Sequence, residues 1–289
     1  MWLTVTFVQA MLLAVLQGVS ELFPVSSLGH TVLIPALFHW NINRQDPTFL
    51  AFVVVLHLGT ALALILFYRQ EWAAITKGLF ASIVRGRIED NRDERIGWLL
   101  VVGTVPVGLL GILFQDPIRN LFGSTRLVAI FLIANAFVMF LGEFLRKRQH
   151  DDRGKHYKQL QQLSWLQSIL VGVAQALALF PGISRSGSSI VAGLLVDLDH
   201  ADAAKYSFLL ATPVIFAAAV LEIPKLWAPE AHVVALQAIL GCLVAGVAAY
   251  ASVAFLTKYF QHNDLRPFGW YCLAFGALCL VLVTRGVIS

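Results

Sequence analysis

Two short polar runs interrupt an otherwise apolar chain: Gln17-Gly-Val-Ser-Glu21-Leu-Phe-Pro-Val-Ser26-Ser27-Leu-Gly-His30, and Gln175 through Phe180-Pro-Gly-Ile-Ser184-Arg185-Ser186-Gly-Ser188-Ser189. Gln17 and Glu21 stand four apart, so on a helix they share one face and can hold a hard cation together, Mg²⁺ or Ca²⁺, which takes oxygen ligands and bridges carboxylate to phosphate. Glu21 serves equally well as a general base. Ser27 and His30, three apart, make a nucleophile and a proton acceptor if one helix carries both; His30 itself and a cation-bound water are the other nucleophiles these residues allow. Arg185 offers a fork for phosphate oxygens ahead of a half-helix expected from Ser188 onward, whose N-terminus also favours an anion. Ser26, Ser184, Ser186 and Ser189 supply hydroxyls for the substrate, although packing is the ordinary use of Ser and Gly in apolar segments. The chemistry these types share is attack at a phosphate.

A carboxylate and a guanidinium at membrane depth are costly unless they line a wet cavity, and composition puts them there. Of 289 residues 58% are hydrophobic and 13% charged, which excludes an ordinary soluble domain. Apolar runs long enough to cross a bilayer recur near 49–68, 97–115, 126–145, 205–222, 233–256 and 267–284. They are continuous rather than alternating, so the fold class is all-α integral membrane protein and not a β-barrel. The segment Met1 to Leu16 lacks a basic start and a cleavage site and reads as mature structure. Net charge +4 comes from basic residues beside the spans, which fits membrane orientation and lipid contact better than nucleic acid. Cys242, Cys272 and Cys279 lack metal-ligand spacing and read as small buried hydrophobes. His57, alone in an apolar run, reads as a donor to a neighbouring helix, and His200 as a loop residue.

Arg69 to Arg95 and Arg146 to Lys158 are the basic loops and are expected in the cytoplasm; the turn 115–120, residues 39–48 and residues 223–232 then lie outside. Residues 2–38 and 161–200 remain, each a pair of short helices broken by a polar motif, and each reads as a re-entrant pair. Shifting the chain by 158 residues aligns Gln17 with Gln175, Ser26 with Ser184, Ser27 with Arg185 and Gly29 with Gly187, while Glu21 meets Leu179. The chain is therefore expected as one domain of two repeats of inverted topology, 1–145 and 161–289, joined by a basic loop 146–160, with about six transmembrane helices and two re-entrant pairs. Broken helices of such repeats meet near the midplane, which brings Glu21, Ser27 and His30 to Ser184 and Arg185. The same architecture suits a lipid flippase or small-anion transporter, the alternative reading.

Gln17-x-x-x-Glu21 with Pro24-Val-Ser26-Ser27-x-Gly29-His30, and Pro181-Gly-Ile-Ser184-Arg185-Ser186, resemble the two signatures of bacterial undecaprenyl-diphosphate phosphatases of the bacitracin-resistance type, across essentially the whole chain. That family has Glu or Gln at the place of Gln17 and usually Thr at the place of Ser189. The resemblance implies hydrolysis of undecaprenyl diphosphate to the monophosphate and inorganic phosphate, in recycling of the lipid carrier of cell-wall synthesis. It implies dependence on Mg²⁺ or Ca²⁺, a site reached from the outer face of the bacterial cytoplasmic membrane, and function carried by Glu21, Ser27, His30 and Arg185 with Ser184 assisting. A polyprenyl diphosphate and membrane lipids are the expected partners, with a homodimer as one assembly state.

Overall fold

Helix length sorts the chain into segments that can cross a bilayer and segments that cannot. In a computed structural model, residues 5–42, 46–89, 91–114, 121, 123–153, 157–222 and 232–288 are described. In chain order their helices are α1 (Phe7–Ser20), α2 (Ser27–Leu37), α3 (Pro47–Phe67), α4 (Arg69–Arg85), α5 (Arg92–Leu113), α6 (Thr125–Arg153), α7 (Trp165–Gln175), α8 (Arg185–Leu195), α9 (His200–Glu222), α10 (His232–Tyr259) and α11 (Arg266–Thr284). Helices α3, α5, α6, α9, α10 and α11 are long and apolar enough to span a membrane, six as expected. Helices α1, α2, α7 and α8 run only 14, 11, 11 and 11 residues against the ~20 a crossing needs. Residues 21–26 separate the first short pair; a 3₁₀ turn, Ala176–Leu179, and residues 180–184 separate the second.

The packing pairs repeat. Helix α1 lies on α10 and α7 on α5; α3 lies on α10 and α9 on α5; α3 meets α9, and α6 meets α11. Exchanging α1 with α7, α3 with α9, α5 with α10 and α6 with α11 maps this set onto itself. The matched contacts use the same device, a glycine that lets backbones touch. A Cβ on Gly18 of α1 would lie 2.3 Å from the Ala245 carbonyl oxygen, and one on Gly172 of α7 would lie 2.2 Å from that of Gly103.

One expected loop is a helix, and residues 146–153 of the other, the basic loop 146–160, continue α6. Most of Arg69 to Arg95 forms α4, which ends at Gly86 in the left-handed conformation (φ 69°) and folds back on α5. Asn91 caps α5 through the Asp93 and Glu94 N–H groups, and Arg85 Nη2 donates to the buried Glu94 at 2.5 Å, closing the hairpin. Charge density alone hides this helix, because Arg69, Glu71, Lys77 and Arg85 outweigh Phe80, Ile83 and Val84, an apolar edge it leaves exposed. The turn 115–120, residues 223–231 and residues 154–156 of the basic loop 146–160 lie outside the described residues.

Candidate active site

The helix starts that follow the two breaks are built alike. Ser26 caps α2 by accepting from the Gly29 N–H, and Ser184 caps α8 by accepting from the Gly187 N–H. These are the positions that the 158-residue shift aligns, so the internal repeat is a capping repeat. Glycine three residues after each cap is a packing need: a Cβ on Gly187 would stand 3.2 Å from Ser184 Cβ, and one on Gly29 would stand 3.2 Å from Gly182 Cα. Ser27 and Arg185 thereby become the first residues of their helices, where backbone N–H groups favour an anion. Helix α8 thus starts at Arg185, three residues before the expected Ser188.

Asn135, in the middle of α6, ties the two breaks together. Its Nδ2 donates to the Pro24 carbonyl at 3.1 Å, and its Oδ1 accepts from the Ser184 N–H at 3.0 Å. Ser186 adds a hydrogen bond to the Phe23 carbonyl at 3.1 Å. Groups more than 150 residues apart are brought into contact: Arg185 Nε donates to Glu21 Oε1 at 3.2 Å.

Glu21 is the hub. Its Oε2 accepts from Ser27 Oγ at 2.5 Å and from Gln17 Nε2 at 3.2 Å, and His57 Nε2 approaches the same oxygen at 3.2 Å. His57 Nδ1 is 2.8 Å from the Val53 carbonyl and donates to it, so the approach of Nε2 to a carboxylate is attractive when that nitrogen carries a proton too. With both ring nitrogens of His57 protonated, one carboxylate stands between two cations, and the site then carries a net positive charge suited to an anion. Arg185 spends Nη1 on the Ser207 carbonyl at 3.1 Å, and its Nη2, buried, has no partner.

These groups line a cavity of about 330 Å³. Its polar wall holds Glu21, Ser26, Ser27, His57, Gln175, Ser184 and Arg185; its apolar wall comes from α3, α5 and α9. A few convergent polar groups at the end of an apolar pocket is the form of a site for an amphiphile.

Three expectations from the sequence are not met by this geometry. Ser27 and His30 do not pair: His30 is held by the Ser26 carbonyl at Nδ1 and the Tyr271 hydroxyl at Nε2, 2.7 Å each, and stacks on Tyr271 and Phe275 of α11. Spacing on a helix allowed the pair, but α11 supplies a better slot for the ring and Glu21 a nearer acceptor for the hydroxyl. Ser186 and Ser189 do not line the cavity; Ser189 Oγ is 2.7 Å from Ser207 Oγ and joins α8 to α9. Ser184 and Ser26 do line it, with their side chains used as caps. His57 is the converse case, a residue read as a packing donor that stands against Glu21. An ionisable group in mid-span was the available signal.

For a hard cation the protein offers Glu21 and Gln17 Oε1, which is buried without a partner while its amide nitrogen faces Glu21. No group of three His, Cys, Asp or Glu is assembled among the described residues. The donor set therefore fits a cation only where substrate phosphate oxygens complete the shell.

Residues 10–278 match the family model described as bacitracin resistance protein BacA. The chain is similar to a protein of Acidiphilium cryptum named undecaprenyl-diphosphatase, 48% identical over 96% of this chain and 98% of that one. It is also similar to undecaprenyl-diphosphatase 2 of Chromobacterium violaceum, 47% identical over 95% and 98%, and to undecaprenyl-diphosphatase of Mycobacterium avium, 43% identical over 96% and 97%.

Proposed function

Because the chain belongs to the bacitracin resistance protein BacA family, we propose that its cavity is the active site of a membrane phosphatase that hydrolyses undecaprenyl diphosphate to undecaprenyl phosphate and inorganic phosphate. The enzyme recycles the lipid carrier of cell-wall synthesis. The observation that carries the reading is the Ser27 hydroxyl 2.5 Å from Glu21, with Arg185 Nη2 unpartnered beside it.

Ser27 Oγ attacks the terminal phosphorus as its proton passes to Glu21. The bond from that phosphorus to the bridging oxygen breaks, Glu21 gives up the proton to the departing oxygen, and undecaprenyl phosphate leaves. Water then attacks the phosphoserine as Glu21 accepts its proton; the bond from phosphorus to Ser27 Oγ breaks, Glu21 returns the proton to Oγ, and inorganic phosphate is released. Arg185 Nη2 holds non-bridging oxygens, and the N-termini of α2 and α8 add their dipoles. His57 keeps Glu21 oriented and offsets its charge when the diphosphate enters. Gln17 and Glu21 would hold Mg²⁺ or Ca²⁺ together with the diphosphate, and the cation would supply charge neutralisation. The prenyl chain runs along Leu50, Val53 and Val54 of α3 and Val214, Ile215 and Ala218 of α9.

Leu50 near the start of α3, Gly111 near the end of α5 and Ala218 near the end of α9 mark one side of the protein. On the loop-charge topology that side is the outer face of the bacterial cytoplasmic membrane, from which the substrate enters. The second repeat runs inverted to the first on the same topology. Every group named comes from one copy, so a homodimer is compatible but not required.

Acid quenching of the purified protein during turnover of substrate labelled at its terminal phosphate tests the route. Label retained on the wild-type chain and absent from Ser27→Ala is expected. Turnover with no label trapped at any time would replace Ser27 by a Glu21-activated water. Binding of the diphosphate with no hydrolysis would favour a flippase.

A further inference from the structure

Gln175 is a polar side chain with no use inside the protein. It ends α7, lines the cavity that holds Glu21, Ser27, His57 and Arg185, and is 0% exposed. Both amide atoms, Nε2 and Oε1, lack a hydrogen-bond partner, and the side chain caps neither α7 nor the 3₁₀ turn that follows. Leaving an amide buried and unpaired costs roughly 1–3 kcal/mol on protein scales.

The repeat explains how it came to be unpaired. Gln17, its mate under the 158-residue shift, donates to Glu21 one turn later. One turn after Gln175 stands Leu179, which accepts nothing. The second repeat therefore keeps the amide and lacks the partner. Among the described residues, the one other buried, unpaired donor on the cavity wall is Arg185 Nη2, on the helix that α7 packs against.

We propose that Gln175 is a substrate-binding residue for the phosphoanhydride headgroup, donating from Nε2 to a non-bridging oxygen while Arg185 Nη2 takes another. This rests on the phosphatase reading and adds a contact from the second repeat that lies outside the signature running from Pro181 to Ser186. A glutamine placed so discriminates by hydrogen bonding without adding charge, and its Oε1 remains to accept from water or a protonated phosphate.

The test is Gln175→Leu, which keeps the shape and removes both polar atoms. Two opposite changes are expected in detergent-purified protein. The unliganded variant unfolds at a temperature equal to or above wild type, because an unsatisfied amide has been removed. KM for undecaprenyl diphosphate rises about tenfold to a hundredfold, the range for a lost hydrogen bond to a charged group. The thermal shift given by a prenyl methylenediphosphonate, which cannot be hydrolysed at the bridge, falls with it. Gln175→Glu, adding charge against the headgroup, is expected to raise KM further. A Gln175→Leu variant that unfolds earlier, or that keeps wild-type KM and ligand shift, overturns the proposal and makes Gln175 a packing residue. Wild-type protein that binds the diphosphonate but releases no phosphate overturns the phosphatase reading instead, and leaves the ligand-shift comparison to decide the role of Gln175.

Discussion

Replacing Asn135 by Ala removes the brace between the two breaks. The two hydrogen bonds to the breaks go, to the Pro24 carbonyl at 3.1 Å and from the Ser184 N–H at 3.0 Å, with a weak one to Cys272 Sγ at 3.5 Å; both break partners stay buried, the Pro24 carbonyl keeping only the Cys272 thiol at 3.9 Å. An unsatisfied buried group costs ~1–3 kcal/mol, which puts the pair at ~2–6 kcal/mol. Interhelical polar contacts in membranes average only ~0.6 kcal/mol, because the unfolded chain in lipid finds other partners. The first figure is the better guide, since Pro24 and Ser184 lie in helix breaks where no backbone ladder can take them over. A cost of ~2–4 kcal/mol is expected. Part of it is paid in geometry, because the same brace sets Arg185 against Glu21. At ~1.4 kcal/mol per tenfold, even half of it spent on misplacing the guanidinium lowers kcat about fivefold to thirtyfold. Phosphate release at saturating substrate, together with thermal unfolding in detergent, reads both parts. Asn135→Asp keeps the acceptor for Ser184 and is expected to fall between. An Asn135→Ala protein with wild-type kcat and wild-type unfolding temperature refutes the reasoning.

His57→Gln keeps a donor near Glu21 but removes the positive charge; KM for the diphosphate should rise about tenfold, given the few kcal/mol that unit charges exchange at such range, and an unchanged KM contradicts the charge role. Tyr271→Phe removes the hydrogen bond to His30 Nε2 while leaving the stack, so stability should fall by about 1 kcal/mol with turnover nearly unchanged. A loss of turnover approaching a thousandfold would return His30 to the chemistry. Glu143, buried about two-thirds of the way along α6 and not among the cavity-lining residues, accepts from His200 Nε2 at 2.7 Å and from the Leu265 N–H at 3.0 Å. Glu143→Ala should cost about 3 kcal/mol of stability and leave KM unchanged, and unaltered unfolding would show that cluster to be idle.

The spans were legible because hydropathy over ~20 residues is a property of the run itself. The meeting of the breaks was legible for a related reason: a shift that aligns Ser26 with Ser184 and Gly29 with Gly187 preserves cap geometry, which each segment carries alone. What failed to show depends on partners from elsewhere. His30 turned to Tyr271 and Phe275, and Ser27 to Glu21, because helix spacing says which neighbours are possible and tertiary packing chooses among them. His57 read as a bland mid-span histidine until α3 was laid against the first break. Helix α4 passed for a loop because its charges outweighed a three-residue apolar edge in any average over the segment. His200 begins α9 rather than lying in a loop, since its ring has Glu143 to hold.

The most direct measurement is phosphate release by the detergent-purified protein given undecaprenyl diphosphate and Mg²⁺, beside Glu21→Gln and Arg185→Gln. Stoichiometric inorganic phosphate and undecaprenyl phosphate from the wild type, with each variant slowed by at least about a thousandfold, is the predicted result. Equal release by the wild type and both folded variants would place the chemistry outside this cavity and contradict the account.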